Sequence, residues 1–239
     1  MRYVELPLPP ELNLLVAGVW TLDAGDDARD WIEHEATPDG CVEVICRTRG
    51  QSRWRREQPE LFATGLSDIP IGFGFSGDAA FVAVKLWPWA WEMLGGAPAP
   101  SFADDWAVLA EDHPLATIIA NNADAIPNAL AALFADRTIP PIAHAILTAG
   151  SVARIGAACG LSPRALQRWF AAHIGLPPRT YLKLLRFRDS LRALPGDSSL
   201  ANHAADHGYA DQAHMARDFR ALAGAAPRDA RKRAQGPFL

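Results

Sequence analysis

Cysteine, methionine and tyrosine are scarce in this 239-residue chain, which contains only three of each. Cys41, Cys46 and Cys159 are an odd set with neither CxxC spacing nor a companion histidine cluster. This argues against a disulfide framework and favours reduced, buried thiols. The longest apolar stretch, residues 79–91, is broken by a lysine and a proline, and a membrane span needs about 18 uninterrupted apolar residues. The first residues lack a signal-peptide pattern, so we expect a cytoplasmic protein with no membrane partner.

Catalytic signatures are missing as well. The sequence has no GxSxG, HExxH or P-loop motif. The predicted strands of the first half contain a single histidine, His34, between Glu33 and Glu35. A metal-dependent β-barrel enzyme needs several histidines and a carboxylate from neighbouring strands. We therefore predict no enzyme, no metal site and no cofactor.

The composition is that of a folded protein, but its charge is unevenly distributed. Apolar residues make up 49% of the chain and charged residues 21%, which excludes a disordered or collagen-like chain. Residues 1–150 contain 9 Lys and Arg against 21 Asp and Glu, a net charge of −12, whereas residues 151–239 contain 14 against 6, a net charge of +8. A basic third on an acidic protein indicates contact with a polyanion, although a solvated basic face has the same composition.

The basic third contains a repeat of 48 to 49 residues. Each copy has small residues, a glycine, about ten helical positions that end in Phe, and a Gly-x-x-Pro stop. The corresponding pairs are Gly160 and Gly208, Phe170 and Phe219, Gly175 and Gly224, and Pro178 and Pro227. Two copies are too few for a solenoid, which needs about three, and they indicate paired modules.

Each copy predicts two helices joined by a glycine turn. In the first copy Gly160 ends one helix, Ser162 caps the next and Pro163 occupies its first position. The predicted apolar stripes are Leu166, Trp169, Phe170 and Ile174 in the first copy, and Leu200, Ala204, Tyr209, Met215, Phe219 and Leu222 in the second. This is the helix-turn-helix arrangement, in which the second helix enters the major groove of DNA.

Outward-facing residues of these second helices suit base recognition. A guanidinium can bond both acceptors of a guanine edge, and a carboxamide matches the adenine edge. The candidate base-reading residues are Arg164, Gln167 and Arg168 in the first copy, and Gln212, His214 and Arg217 in the second. For His214, a structural role in the core is an equal alternative.

An amphipathic helix is predicted between the copies, opened by Pro177 and Pro178. A helix of about 16 residues spans roughly 24 Å, which can hold two recognition helices about one DNA turn, near 34 Å, apart. Its predicted apolar residues are Leu182, Leu185, Leu191 and Leu194. The residues predicted to meet phosphates are Lys183, Arg186, Arg188 and Arg192 on this helix, with Arg231, Lys232 and Arg233 near the C-terminus.

Residues 140–233 resemble the DNA-binding domain of the AraC/XylS family of transcription regulators. The first copy matches the family pattern over residues 161–170, and the second through Gly208, Tyr209, Asp211, Gln212, His214, Met215, Arg217, Phe219, Gly224 and Pro227. The resemblance implies a sequence-specific transcription regulator with double-stranded DNA as partner and RNA polymerase as a further candidate. Family members usually have a capping Ser or Thr where this chain has Ala210, so we expect Asp211 to cap the last recognition helix.

The first 135 residues predict strands followed by helices. Strands are predicted at 12–22, 31–37, 41–49, 60–65, 69–75 and 79–87, and helices from Pro88, at about 103–111 and at 115–135. The pattern is similar to the cupin-like N-terminal domains of some family members, which implies effector binding or dimer contacts. The predicted fold class is α+β: a β-barrel or cupin-like domain with following helices over residues 1–136, and an all-α domain of two helix-turn-helix modules joined by a long helix over 137–239.

Ligand-binding residues are the least constrained part of the prediction. The candidates are Trp20, His34, Glu43 and Trp89, because aromatic side chains often line small-molecule pockets. Ordinary barrel core is the alternative for the tryptophans, a surface or structural role for His34, and a solvent-facing position for Glu43. The alternative function is a small-molecule-binding or enzymatic barrel whose basic domain only recruits it to DNA. The effector, operator, direction of regulation and oligomeric state do not follow from the sequence.

Overall fold

A two-sheet β domain forms the first part of the chain. The computed structural model describes residues 1–25, 30–194 and 199–233, with the side chain of Arg233, a predicted phosphate contact, outside the described part. The strands are β1 (Arg2–Glu5), β2 (Val16–Asp23), β3 (Trp31–Ala36), β4 (Val42–Arg49), β5 (Ser52–Trp54), β6 (Arg56–Glu57), β7 (Leu61–Thr64), β8 (Ile71–Ser76), β9 (Ala80–Leu86) and β10 (Trp106–Val108). All six predicted strands are present, and β1, β5, β6 and β10 are additional.

The strands form two antiparallel sheets. One has six strands in the order β1-β2-β9-β4-β7-β10, and the other has four in the order β3-β8-β5-β6. Both faces of the larger sheet are covered, as alternation along β4 shows: Val42 and Val44 belong to the core under the helices, whereas Glu43 and Ile45 face the smaller sheet. Alternate side chains of β4 therefore pack in two different regions: the core under the helices and the space between the two sheets.

Short helices cover the outer face of the six-stranded sheet. They are α1 (Pro88–Met93), α2 (Pro114–Ile119) and α3 (Ile126–Phe134), with 3₁₀ turns at Pro10–Leu12, Ala99–Phe102 and Ala123–Ala125. The predicted helix at 103–111 is wrong, because Trp106 lies in an edge strand paired with β7, where its indole Nε1 donates to the carbonyl of Trp54. The predicted helix at 115–135 is interrupted, because Asn122 caps the intervening turn through the backbone N–H of Asp124.

Seven helices lie in the described residues of the second part of the chain, 137–194 and 199–233. They are α4 (Pro141–Thr148), α5 (Val152–Cys159), α6 (Pro163–His173), α7 (Pro178–Arg192), α8 (Leu200–Asp206), α9 (Gln212–Ala223) and α10 (Pro227–Arg233). The Ser162 side chain caps α6 and Gly160 is left-handed at the end of α5. Asp211 caps α9 by accepting from the backbone N–H of His214 at 2.6 Å, so the cap predicted in place of the usual Ser or Thr is confirmed.

The two helix-turn-helix modules are supported differently. Ile155, Leu166 and Phe170 of the first module join the large core that also contains the helices of the β domain. The second module has a separate core around Met215 and Phe219. Helix α7 belongs to both, so the first module is packed on the β domain and the second is attached mainly through α7. In the described ranges, none of the helices is long and apolar enough to cross a membrane.

Candidate nucleic-acid interface and internal cavity

Helix α6 presents three of the predicted base-reading residues on its exposed side. Leu166 and Phe170 are almost completely buried, which fixes the rotation of the helix about its axis. Arg164, Gln167 and Arg168 are therefore exposed within its first two turns. Exposed Arg and Gln at the start of a capped helix suit contacts to base edges in the major groove.

Helix α9 repeats this arrangement with one difference. Gln212 and Arg217 are exposed, whereas His214 is partly buried. The His214 ring packs edge-on against Tyr209, and its Nδ1 accepts from the backbone N–H of Ala210 at 3.4 Å. His214 thus contributes to the N-terminal turn of the helix as well as to its surface.

A carboxylate that the sequence-based reasoning assigned no role joins α7 to α9. The Asp218 side chain is only 10% exposed, and its Oδ2 lies 2.7 Å from Nη2 of Arg186 while Oδ1 lies 3.7 Å from Nζ of Lys183. The Arg186 guanidinium also lies over the ring of Tyr209, 4.5 Å from its centroid. Arg186 and Lys183, both predicted phosphate contacts, therefore have an internal counter-charge. The sequence signal that could have revealed this ion pair is the position of Asp218 on the apolar side of α9, where an acidic residue is unexpected.

Helix α7 is also in contact with the β domain. Arg188 was predicted to be available to phosphates, and this is wrong: its side chain is 11% exposed, pairs with Asp189 at 2.6 Å and lies over the ring of Trp87. Arg192 Nη2 lies 3.3 Å from Oε1 of Glu5 in β1. Basic residues of α7 meet the other domain because the helix lies between the two cores, a tertiary arrangement that periodicity does not reveal.

A cavity of about 120 Å³ lies between the two sheets. Six aromatic side chains contribute to its walls: Trp20, Trp54, Phe62, Phe73, Phe75 and Phe81. Polar residues at the cavity are fewer and include Asp39, Glu43, Ser52 and Lys85. A concave, mainly apolar space with a few polar groups is the usual form of a small-molecule site.

The charged residues of the cavity form one connected group. Lys85 Nζ lies 2.7 Å from Oδ2 of Asp39 and 3.8 Å from Oε1 of Glu43, and its side chain is 6% exposed. The indole Nε1 of Trp20 donates to Oε1 of Glu43 at 2.6 Å. Two carboxylates thus share one ammonium group inside the domain.

Burial and pairing move the pKa values of these groups in different directions. Burial raises the pKa of Glu43, and the attraction of Lys85 only partly offsets this. Burial alone would raise the pKa of Asp39 too, but the adjacent Lys85 lowers it. Burial opposes the charge of Lys85, yet Asp39 and Glu43 together raise its pKa. Asp39 and Lys85 are therefore an ion pair, and Glu43 is the group whose charge is least compensated.

The four predicted ligand-binding residues separate into two groups. Trp20 and Glu43 line the cavity and bond to each other. His34 lies on β3 with its ring stacked on Phe75, centroids 5.4 Å apart, and Trp89 is buried in α1, where its Nε1 donates to the carbonyl of Leu14. His34 and Trp89 are not part of the cavity wall. Across the parts of the chain that the structure describes, no group of three or more His, Cys, Asp or Glu could hold a metal ion.

One loop touches both the cavity and the helical domain. Asp39 contributes to the cavity, and the carbonyl oxygen of the next residue, Gly40, accepts a hydrogen bond from the hydroxyl of Tyr181 in α7. Gly40 has φ of +78° and lies so close to α7 that a Cβ there would be 3.0 Å from Leu184. This loop therefore links the cavity wall directly to the helix that joins the two modules.

Comparisons with known proteins agree with this two-part architecture. Residues 155–233 match the family of helix-turn-helix domains, and residues 5–107 match a family described as a domain of unknown function, DUF6597. A structure of ToxT from Vibrio cholerae is 10% identical, covers 87% of this chain and 100% of its own, and has a TM-score of 0.51. An apo ToxT variant from the same organism is 10% identical, with 91% and 97% covered and a TM-score of 0.50. No curated protein matches. The structural likeness shows the fold.

Proposed function

We propose that this chain is an AraC-type helix-turn-helix transcription regulator with a DUF6597-type N-terminal domain, because residues 155–233 match the helix-turn-helix family and residues 5–107 match DUF6597. The regulator binds DNA through residues 137–239, and residues 1–136 form the domain that modulates binding. The boundary is drawn before α4, where Pro140 and Pro141 separate the helices of the β domain from those of the first module.

Helices α6 and α9 are proposed as the recognition helices. The observation that carries this is the repeated exposure of Arg and Gln at the start of both: Arg164, Gln167 and Arg168 on α6, and Gln212 and Arg217 on α9. His214 is proposed to position α9 as well as to face DNA. Lys183, Arg186 and Arg192 are proposed as weaker phosphate contacts, because Asp218 and Glu5 already offset part of their charge.

Selection from random oligonucleotides with the full chain tests this proposal. We expect one enriched sequence with two separated elements, since each recognition helix reads its own stretch of major groove. Arg164→Ala should relax the preference in one element only, while Arg2→Ala, which removes an exposed arginine of the β domain, should leave the enriched sequence unchanged. An enriched site with a single element that Arg164→Ala leaves intact would contradict the proposal.

The cavity is proposed as the effector site, and the loop that contains Asp39 and Gly40 as its connection to DNA binding. A ligand that moves Asp39 would alter the contact of Gly40 with Tyr181, and hence the position of α7 relative to the β domain. Coupling of this kind requires the ligand to favour one of two arrangements. Measuring operator affinity with and without a cavity ligand tests it; identical affinities for a ligand shown to bind would contradict it.

RNA polymerase is the further partner that the regulatory role implies.

Dimerisation through the β domain is a second proposed route, besides effector binding, by which DNA binding is modulated. Sedimentation of the full chain, with and without operator DNA, separates the two routes. A monomer that binds both elements of the operator supports effector control, because one chain already contains two modules. A dimer that forms only on DNA supports modulation through the β domain.

A further inference from the structure

We propose, building on the proposed effector role of the cavity, that its ligand is a small organic cation: a compact aromatic or apolar amine whose ammonium group lies against Glu43. Four features of the cavity point to such a ligand: its size, the chemistry of its walls, its charge and the side-chain oxygen of Ser52, which has no hydrogen-bond partner within the described residues.

Size restricts the ligand to about one ring with a short substituent. The cavity of about 120 Å³ is slightly smaller than an engineered protein cavity of about 150 Å³ that binds benzene. A long acyl chain would extend beyond this space. The apolar part of the ligand is matched by the aromatic walls, where Phe75 and Trp54 face the larger sheet from the smaller one.

The charge of the cavity selects against anions. Asp39 and Glu43 supply two carboxylates and Lys85 one ammonium group, so the group has a formal charge of −1 when both acids are ionised. Lys85 is already held at 2.7 Å by Asp39, so a carboxylate ligand would compete with this ion pair and be repelled by both acids. An ammonium ligand at Glu43 would instead supply the missing positive charge, and the aromatic rings favour a cation over an anion as well.

The hydroxyl of Ser52 is an independent sign that the cavity has an occupant. Ser52 is 2% exposed and lines the cavity from β5, on the sheet opposite Glu43. Within the described residues its Oγ has no hydrogen-bond partner. A buried hydroxyl without a partner is unfavourable, and a second polar group on the ligand would satisfy it. The site therefore has two polar contacts, Glu43 on one sheet and Ser52 on the other.

Calorimetric titration of the full chain with three ligands of the same shape tests the proposal: benzylamine, benzyl alcohol and benzoate. We expect benzylamine to bind at least about tenfold more tightly than benzyl alcohol, the ratio that one desolvated cationic contact supplies, and benzoate to bind most weakly. Equal affinities, or a preference for benzoate, would overturn the proposal. This comparison needs no substitution, so it does not depend on whether a variant folds.

Variants then locate the cationic contact. Glu43→Gln keeps the shape and an acceptor for Trp20 but removes the charge, and should abolish the advantage of benzylamine over benzyl alcohol. Glu35→Gln, which removes an exposed carboxylate from β3, should change neither affinity. An unchanged preference in Glu43→Gln with a wild-type melting temperature would overturn the assignment to Glu43.

Ser52 is tested with 3- and 4-(aminomethyl)phenol, which add a hydroxyl to benzylamine. At least one should bind more tightly than benzylamine to the wild type, and Ser52→Ala should remove that gain. Operator binding is measured on the same samples. A chain that binds its operator but none of the amines contradicts the inferred ligand class alone, whereas a chain that binds amines but no DNA contradicts the proposed function alone.

Discussion

The hydroxyl of Tyr181 donates a hydrogen bond of 2.8 Å to the carbonyl oxygen of Gly40, across the boundary between the helical and β domains. Tyr181 is completely buried in α7, and burial raises the pKa of its hydroxyl well above the usual value. The phenol therefore remains a protonated donor over the working pH range. Because Gly40 follows Asp39, which lines the cavity, this bond links the cavity wall to α7.

Tyr181→Phe should weaken the connection between the domains. It removes the donor and leaves a buried carbonyl without its partner, which we expect to reduce the free energy of unfolding by about 1 to 3 kcal/mol. Urea denaturation measures this loss. Trp169→Phe, a conservative change at a partly buried aromatic of α6 that does not contact the loop, is the control. A Tyr181→Phe protein as stable as the wild type would show that the bond contributes nothing to the domain contact.

Gly40→Ala should be more damaging than the same change at an open glycine. Gly40 and Gly95 both have positive φ, +78° and +83°, so alanine is strained at either position. Only at Gly40 would the added methyl group meet neighbours, at 3.0 Å from Leu184 and 3.1 Å from Tyr181. We expect Gly40→Ala to lower the melting temperature further than Gly95→Ala and to reduce the effect of ligand on DNA affinity. Equal melting temperatures for the two variants would mean that the loop accommodates the added methyl group at Gly40 without further loss of stability.

Arg164→Ala should cost about 1 to 3 kcal/mol of binding free energy at one base pair if its guanidinium reads guanine. Because the loss is base-specific, it should be much smaller on random DNA. Fluorescence anisotropy on operator and random duplexes, at several salt concentrations, measures both. Equal losses on the two duplexes, with a shallower salt dependence, would make Arg164 a phosphate contact instead.

Asp218→Asn should strengthen non-specific DNA binding. The substitution removes the counter-charge of Arg186 and Lys183, so these cations become available to phosphates and the slope of log affinity against log salt should steepen by up to about 1 to 2. The second module should also become less stable, because the ion pair between α7 and α9 is lost. Asp229→Asn, on α10, is the control. An unchanged salt slope would mean that Arg186 and Lys183 do not reach DNA.

Glu43 should make the protein less stable as the pH rises. Its folded pKa is raised above the ordinary 4.5, so the folded state holds the proton more tightly, and this contribution is lost as pH increases from about 4.5 through the folded pKa. Asp39, whose pKa is lowered, has the opposite dependence. The stability of the wild type minus that of Glu43→Gln should therefore fall with rising pH over this range. A difference that is constant or rises with pH would contradict the uncompensated position of Glu43.

Local signals predicted the helical domain well because its caps and turns depend on neighbours in sequence. Ser162, Asp211 and Gly160 each act within one helical turn, and their roles follow from residue type and spacing. The six predicted strands follow from apolar runs bounded by turn residues, which are local signals as well. The short strand at Trp106 was missed, because the groups that stabilise it, strand β7 and the carbonyl of Trp54, lie more than 40 residues earlier in the sequence.

Contacts between distant segments could not be predicted. Arg188 has the sequence context of an exposed basic residue, and only the docking of α7 places it over Trp87. Half of the candidate ligand residues, Trp20 and Glu43, line the cavity because both side chains face the smaller sheet, from β2 and β4, which are separated by β9. Alternation suggests this facing but does not specify it. The two carboxylate partners of Lys85 come from a loop and from another strand. No spacing in the sequence predicts that these three charged residues meet.

Hydroxyl-radical footprinting of the full chain on its selected operator tests the central claim most directly. If α6 and α9 enter successive major grooves, protection should appear in two patches about 10 base pairs apart, with the Arg164→Ala protein losing one patch before the other as the salt concentration rises. A single continuous patch that both recognition helices share, or protection that is the same on every duplex, would contradict the claim that one chain reads two sites.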